Sequence, residues 1–145
     1  MSRAVILSAI LADDRLQDLG FDASTVLTNY DADQRPQMTS THLMFMVIRW
    51  GVQDTLWPSN ESPSGPRHFD IWIHMPSESS TDYTHIDDVI EILDDIFGGI
   101  IQSAGGDGRT VSIIEREGRS GDFKDDVYQT ICRSASYKLL TRVTV

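Results

Sequence analysis

Apolar residues recur at three- and four-residue spacing near the start of the chain. Val5, Ile6, Ala9, Ile10 and Ala12 share one face, which predicts a helix from Ser2 to about Leu19. Asp13 and Asp14 start a second short turn carrying Leu16 and Leu19, and Gly20 stops it. Thr25 to Tyr30 favours a short strand, and Asp31 to Thr41, with Pro36, reads as a loop. Leu43-Met44-Phe45-Met46-Val47-Ile48 is apolar without interruption, as expected of a strand covered on both faces, the second cover coming from a helix or another subunit. Gln53 to Arg67 holds Pro58, Pro63, Gly65 and Pro66 among polar residues and shows no period. Two readings stand for it: a hairpin tip reaching outward to a neighbour, or a floppy loop.

The second half is more regular. Phe69, Ile71, Ile73 and Met75 alternate with His68, Asp70, Trp72 and His74, a period-2 strand with one face on a helix and the other toward solvent or a partner. Thr84 to Phe97 predicts the clearest helix, with Ile86, Val89, Ile90, Leu93, Ile96 and Phe97 on its apolar face and Thr84 with Asp87 as a capping pair. Its opposite face is acidic. Asp94 and Asp95 oppose the helix dipole at its end, so this face either has a further use or is merely solvated. Ala104 to Arg109 reads as a glycine-rich turn, Thr110 to Glu117 as a strand, Gly118 to Asp126 as a charged loop, and Tyr128 to Val145 as one long strand. The pattern is that of one α/β domain over residues 1–145.

Charge narrows the function. Twenty-two acidic against 12 basic residues give a net charge of -10, against a sequence-reading nucleic-acid binder or a protein docking on anionic membranes. An acidic surface would still let DNA pass without adhering; ordinary solubility explains the charge equally well. Cys132 is the single cysteine. It excludes an internal disulfide and is expected to be a buried, inert thiol in a reducing compartment. No secretory signal or membrane-length apolar run is read, so folding in a bacterial cytosol is expected.

Chemistry is sparse. His42, His68, His74 and His85 form no metal-ligand spacing. His68 and His74 would stand ~20 Å apart on an extended strand, too far for ligands at about 2 Å from one ion. The paired carboxylates have no accompanying base or nucleophile. Gly105-Gly106-Asp107-Gly108 lacks the Lys-Ser/Thr ending of a phosphate loop. No catalytic activity, cofactor or metal is expected.

The segment from Thr84 to Val145 resembles the tail terminator proteins of long-tailed, siphovirus-type bacteriophages. The likeness lies in the helix around Ile86-Asp87-Asp88-Val89-Ile90, the glycine turn and strand, the charged loop at Gly121-Asp122-Phe123, and the last strand through Asp126-Val127-Tyr128-Gln129-Thr130-Ile131-Cys132-Arg133 and Tyr137-Lys138-Leu139. Leu43 to Gly51 and Arg67 to Met75 match the family's first central hairpin in position. The resemblance implies an α+β fold, with a mixed or antiparallel central sheet packed against two main helices. It also implies a homohexameric ring that caps the tail tube and stops its polymerisation. The ring joins the tube to the head-completion, or connector, protein, and genomic DNA passes through its lumen. The expected location is the virion, at the head–tail junction, after assembly in the bacterial host cytoplasm.

On this reading the two loops are candidate contacts with neighbours: Trp57 and Arg67 in the first, Arg119, Asp122 and Asp126 in the second. Arg133 is a further candidate, paired across an interface with an acid such as Asp126, or within its own sheet. A head-completion or neck protein of the same virion, and a monomeric ligand-binding or enzyme-like domain, remain as alternatives.

Overall fold

The computed structural model describes residues 3–28, 36, 43–53, 66–101, 103–104 and 109–143. Three helices, α1 (Arg3–Ala12), α2 (Asp14–Asp18) and α3 (Thr84–Gly98), accompany the strands β1 (Val26–Leu27), β2 (Phe45–Gln53), β3 (Arg67–Pro76), β4 (Ser103–Ala104), β5 (Arg109–Arg119), β6 (Phe123–Asp125) and β7 (Thr130–Val143). The fold is α+β. One sheet runs β1-β2-β3-β7-β5-β4, and the short β6 pairs with β7 off that path. Among the described strands only β1 and β2 run parallel, and the other pairings are antiparallel.

Alternation along the strands sets the layers. Phe69, Ile71, Ile73 and Met75 of β3 and Ile131, Ala135, Tyr137 and Leu139 of β7 are buried in one cluster with Ile6 and Ile10 of α1, Leu16 of α2, and Ile86, Val89, Ile90, Leu93 and Phe97 of α3. The helices therefore lie on one face of the sheet. Each large side chain buried there contributes roughly 1.5–3 kcal/mol, so α3 owes its place to its apolar stripe. Its start differs from expectation. Thr84 and Asp87 do not form a capping pair; the Asp82 carboxylate accepts from the Thr84 amide at 3.0 Å and its hydroxyl at 2.7 Å.

The doubly apolar strand is covered from within. Met46 and Ile48 of β2 enter the helix-side cluster, while Phe45 and Val47 point to the opposite face and pack with Tyr128, against which Leu27 and Trp72 also lie. The second cover is neither a helix nor another subunit. Tyr128 belongs to the turn before β7 instead of opening that strand as expected. The Asp125 carboxylate holds the turn by accepting from the Val127 and Tyr128 amides, both at 2.9 Å, and Gln129 closes it with a φ of 55°.

The charged loop is also shorter than expected. β5 continues to Arg119 through a register shift between Arg116 and Gly118, where Gly118 has a φ of 138° that side-chain-bearing residues rarely adopt. Phe123 to Asp125 then forms β6. The β2–β3 pairing runs from Phe45 opposite His74 to Gln53 opposite Arg67, which makes the predicted hairpin. Its tip, with Trp57, and the turn at Gly105–Gly108 lie outside the described residues.

Candidate functional site

The acidic side of α3 is largely tied to the molecule's own arginines. The Asp94 carboxylate accepts from the Arg119 guanidinium at 2.7 Å and from the Tyr137 hydroxyl at 2.7 Å, with Arg116 at 3.5 Å. Burial, and then the hydrogen bond to Asp94, push the Tyr137 phenol well above its ordinary value. The Arg119 guanidinium is also raised, chiefly by its hydrogen bond to Asp94. Asp95 pairs with Arg15 of α2 at 2.9 Å. Arg133 pairs with Asp87 of α3 and donates through Nε to the Ser120 carbonyl at 2.8 Å. Within the chain its ion-pair partner is thus an acid of α3 and not one of its own sheet. These bonds clamp α3 to β5 and β7, leaving Asp88 and Glu91 as exposed acids on the outer side.

Among the described residues the opposite face of the sheet carries no helix, and it divides in two. Over its centre lies a polar lattice: His68 against Glu117, Asp70 accepting from the Ser136 hydroxyl at 2.6 Å, and Lys138 with Glu115 at 3.3 Å. Beside β6 lies a groove of about 450 Å³, lined by Val47, Arg49, Trp72, His74, Phe123, Lys124, Asp125, Asp126 and Cys132. Trp72 meets Phe123 edge to face at 5.9 Å between ring centres. Phe123 is 51% exposed, and beyond it Val127 is 62% exposed. Of the predicted contacts, Asp126 lines this groove, while Asp122 is exposed on the loop before β6.

Two reactive types reach the groove. Cys132 stands opposite His74 in the β3–β7 register. Burial pushes its thiol up to about 11, with the Asp125 charge adding, so it stays protonated at neutral pH. His74 is buried, stacked on Phe45 at 4.9 Å and flanked by Tyr128, with Nδ1 2.8 Å from the Thr130 hydroxyl. Both side chains are packed as structure. The arrangement offers apolar contact with a mixed-charge rim. Among the described residues no three His, Cys, Asp or Glu side chains converge as a metal site, and no helix is long and apolar enough to cross a membrane.

Arg67 sits elsewhere, on the helix side of the sheet where β3 begins. Its guanidinium lies 5.7 Å from the Trp50 ring centre, and that of Arg3 lies 5.1 Å from it. Trp50 in turn leans on Phe69 at 5.0 Å. The site residues read from the sequence thus separate: Arg119 and Arg133 serve α3, Asp126 the groove, and Arg67 a cation–aromatic cluster. The groove has no local signal in the sequence. Trp72 and Phe123 are far apart in the chain, and only the pairing of β6 with β7 brings them together.

These features define a single-sheet α+β protein with helices on one face and an aromatic groove on the other. No protein-family model matches the chain, and no curated protein matches it in sequence.

Proposed function

We propose that this chain is a structural ring subunit: the tail terminator of a siphovirus-type phage, with a tail-terminator-like fold. It would cap the tail tube as a hexamer, stop its growth, and present its other end to the head-completion protein. Its place would be the virion's head–tail junction, after assembly in the bacterial host cytoplasm. The observation that carries this reading is the set of exposed aromatic and aliphatic groups on the sheet face that bears no described helix, Phe123 and the 40% exposed Ile113, with the exposed Val127 beside them. Such groups beside a polar surface are typical of protein contacts. The net charge of -10 suits a lumen through which DNA moves without binding. The doubly apolar β2 no longer argues for a neighbour, since Tyr128 covers it.

The 450 Å³ groove also favours a second reading, a monomeric domain binding a small apolar ligand. Solution mass separates the two. The ring reading expects an oligomer, alone or on the tube, and tubes of uncontrolled length when the protein is withheld. Tubes of unchanged length without it would sink the terminator assignment. A neck protein of the same virion would instead bind the head connector and leave tube length alone.

A further inference from the structure

The geometry points to a carboxylate-receiving patch made by Arg3, Arg67 and Trp50, whose occupant is the Asp88–Glu91 stripe of α3 on a second copy of this chain. The inference rests on the ring reading and names the two unlike surfaces that a head-to-tail ring requires.

In an acidic protein, arginines are expected to find acids, and Arg15, Arg116, Arg119 and Arg133 all do. Arg3 and Arg67 do not. Among the described residues neither forms an ion pair; both guanidiniums lie against the Trp50 ring. The Arg67 Nε is buried without a hydrogen-bond partner, a costly state for a charged donor. Burial and the nearby Arg3 charge both push the Arg67 guanidinium below its ordinary value. Arg3 adds a third tension. It occupies the first turn of α1, which has no acidic side chain, at the end of a helix whose dipole disfavours a cation. Two guanidiniums and a helix start thus concentrate positive potential beside a cavity of about 150 Å³ lined by Arg3, Ala4, Leu7, Thr28, Ile48 and Trp50. An oxyanion there would offset the two guanidinium charges and the unfavourable helix start, gripped by planar donors already ordered on an aromatic ring.

Charge complementarity identifies the occupant. The chain has 22 acidic residues, yet most acids of α3 are taken by its own arginines. Asp88 and Glu91 are exposed and form no ion pair among the described residues. They line a shallow groove of about 430 Å³ with Ile92, Arg15 and Asp95. One molecule therefore carries an unmatched cationic patch and an unmatched acidic one, on different elements.

Charge reversal tests the match. Arg3→Glu places an acid at a helix start, where it favours folding, so its melting temperature is expected to hold while the concentration for half-assembly rises about tenfold or more. Asp88→Arg with Glu91→Arg is expected to do the same. Mixing the two variant chains should restore assembly, since each then presents the complement of the other; light scattering and native mass spectrometry read the result. Variants that assemble as well as the parent, or a mixture that stays apart, would overturn the patch and leave the ring standing. Loss of a tryptophan fluorescence response to inorganic phosphate in Arg3→Glu, with assembly unchanged, would assign the patch to a small anion instead and overturn the subunit contact. A parent chain that is monomeric at high concentration and on the tube would overturn the ring, and this contact with it.

Discussion

Asp13 shows how much one side chain can organise. Its carboxylate caps α2 by accepting from the amides of Arg15 at 2.9 Å and Leu16 at 3.2 Å, and it pairs with the Arg15 guanidinium at 3.1 Å. Arg15 continues to Asp95, so the cap also ties α2 to α3. The hydrogen bond from Arg15 holds the Asp13 carboxyl below the usual range, against the opposing effect of burial. A lowered folded-state value stabilises the fold above the unfolded pKa and loses that contribution as pH falls through the folded value. Asp13→Ala is therefore expected to cost about 1 kcal/mol at neutral pH, and the gap should begin to narrow below about pH 4 and shrink further as pH falls through the lowered folded-state value. Urea denaturation of both proteins at neutral and acidic pH measures it. Cys132 gives a second residue-scale test. With its thiol raised to about 11, alkylation at mildly alkaline pH should run at least about tenfold slower in the folded protein than in denaturant. Equal rates would mean the thiol is open to solvent.

At the scale of elements, the turn at Tyr128 covers part of the sheet face away from the helices. Tyr128 packs with Phe45 and Val47, and its ring meets those of Phe45 and His74 edge to face with 5.4 Å between ring centres. Tyr128→Ala should cost about 3 kcal/mol, seen as a lowered denaturant midpoint; a loss below about 1 kcal/mol would mean β2 needs no second cover. The sequence made β3 legible because its alternation is local, and α3 legible because five residues of its apolar stripe, Ile86, Val89, Ile90, Leu93 and Phe97, are all buried. It hid what depends on distant partners. The apolar run at Phe45–Ile48 announced two covers but not that Tyr128 was one of them. The acids of α3 resembled a free surface because their partners Arg116, Arg119 and Arg133 lie on other elements. β6 looks like loop in the sequence because three residues paired on one side carry no period of their own.

For the whole molecule, position in the sheet predicts the order of opening. β3 and β7 are flanked on both sides by long strands, whereas β1 and β4 are two-residue pairs at the ends of the path. Amide exchange should be slowest in β3 and β7 and fastest in β1 and β4; a β7 that exchanges as fast as β1 would contradict the topology. The place of β7 also has a consequence in time. Of the described strands, the one made latest lies in the middle of the sheet, with Pro76 opposite Thr130 at one end and Arg67 opposite Leu139 at the other. While a ribosome is still building this chain, β3 and β5 have no strand to join them. Closure must wait for β7 and bridge a long stretch of chain, a slow kind of event. Nascent chains thus have no finished surface to offer a partner, and any assembly begins only with molecules whose synthesis has passed β7.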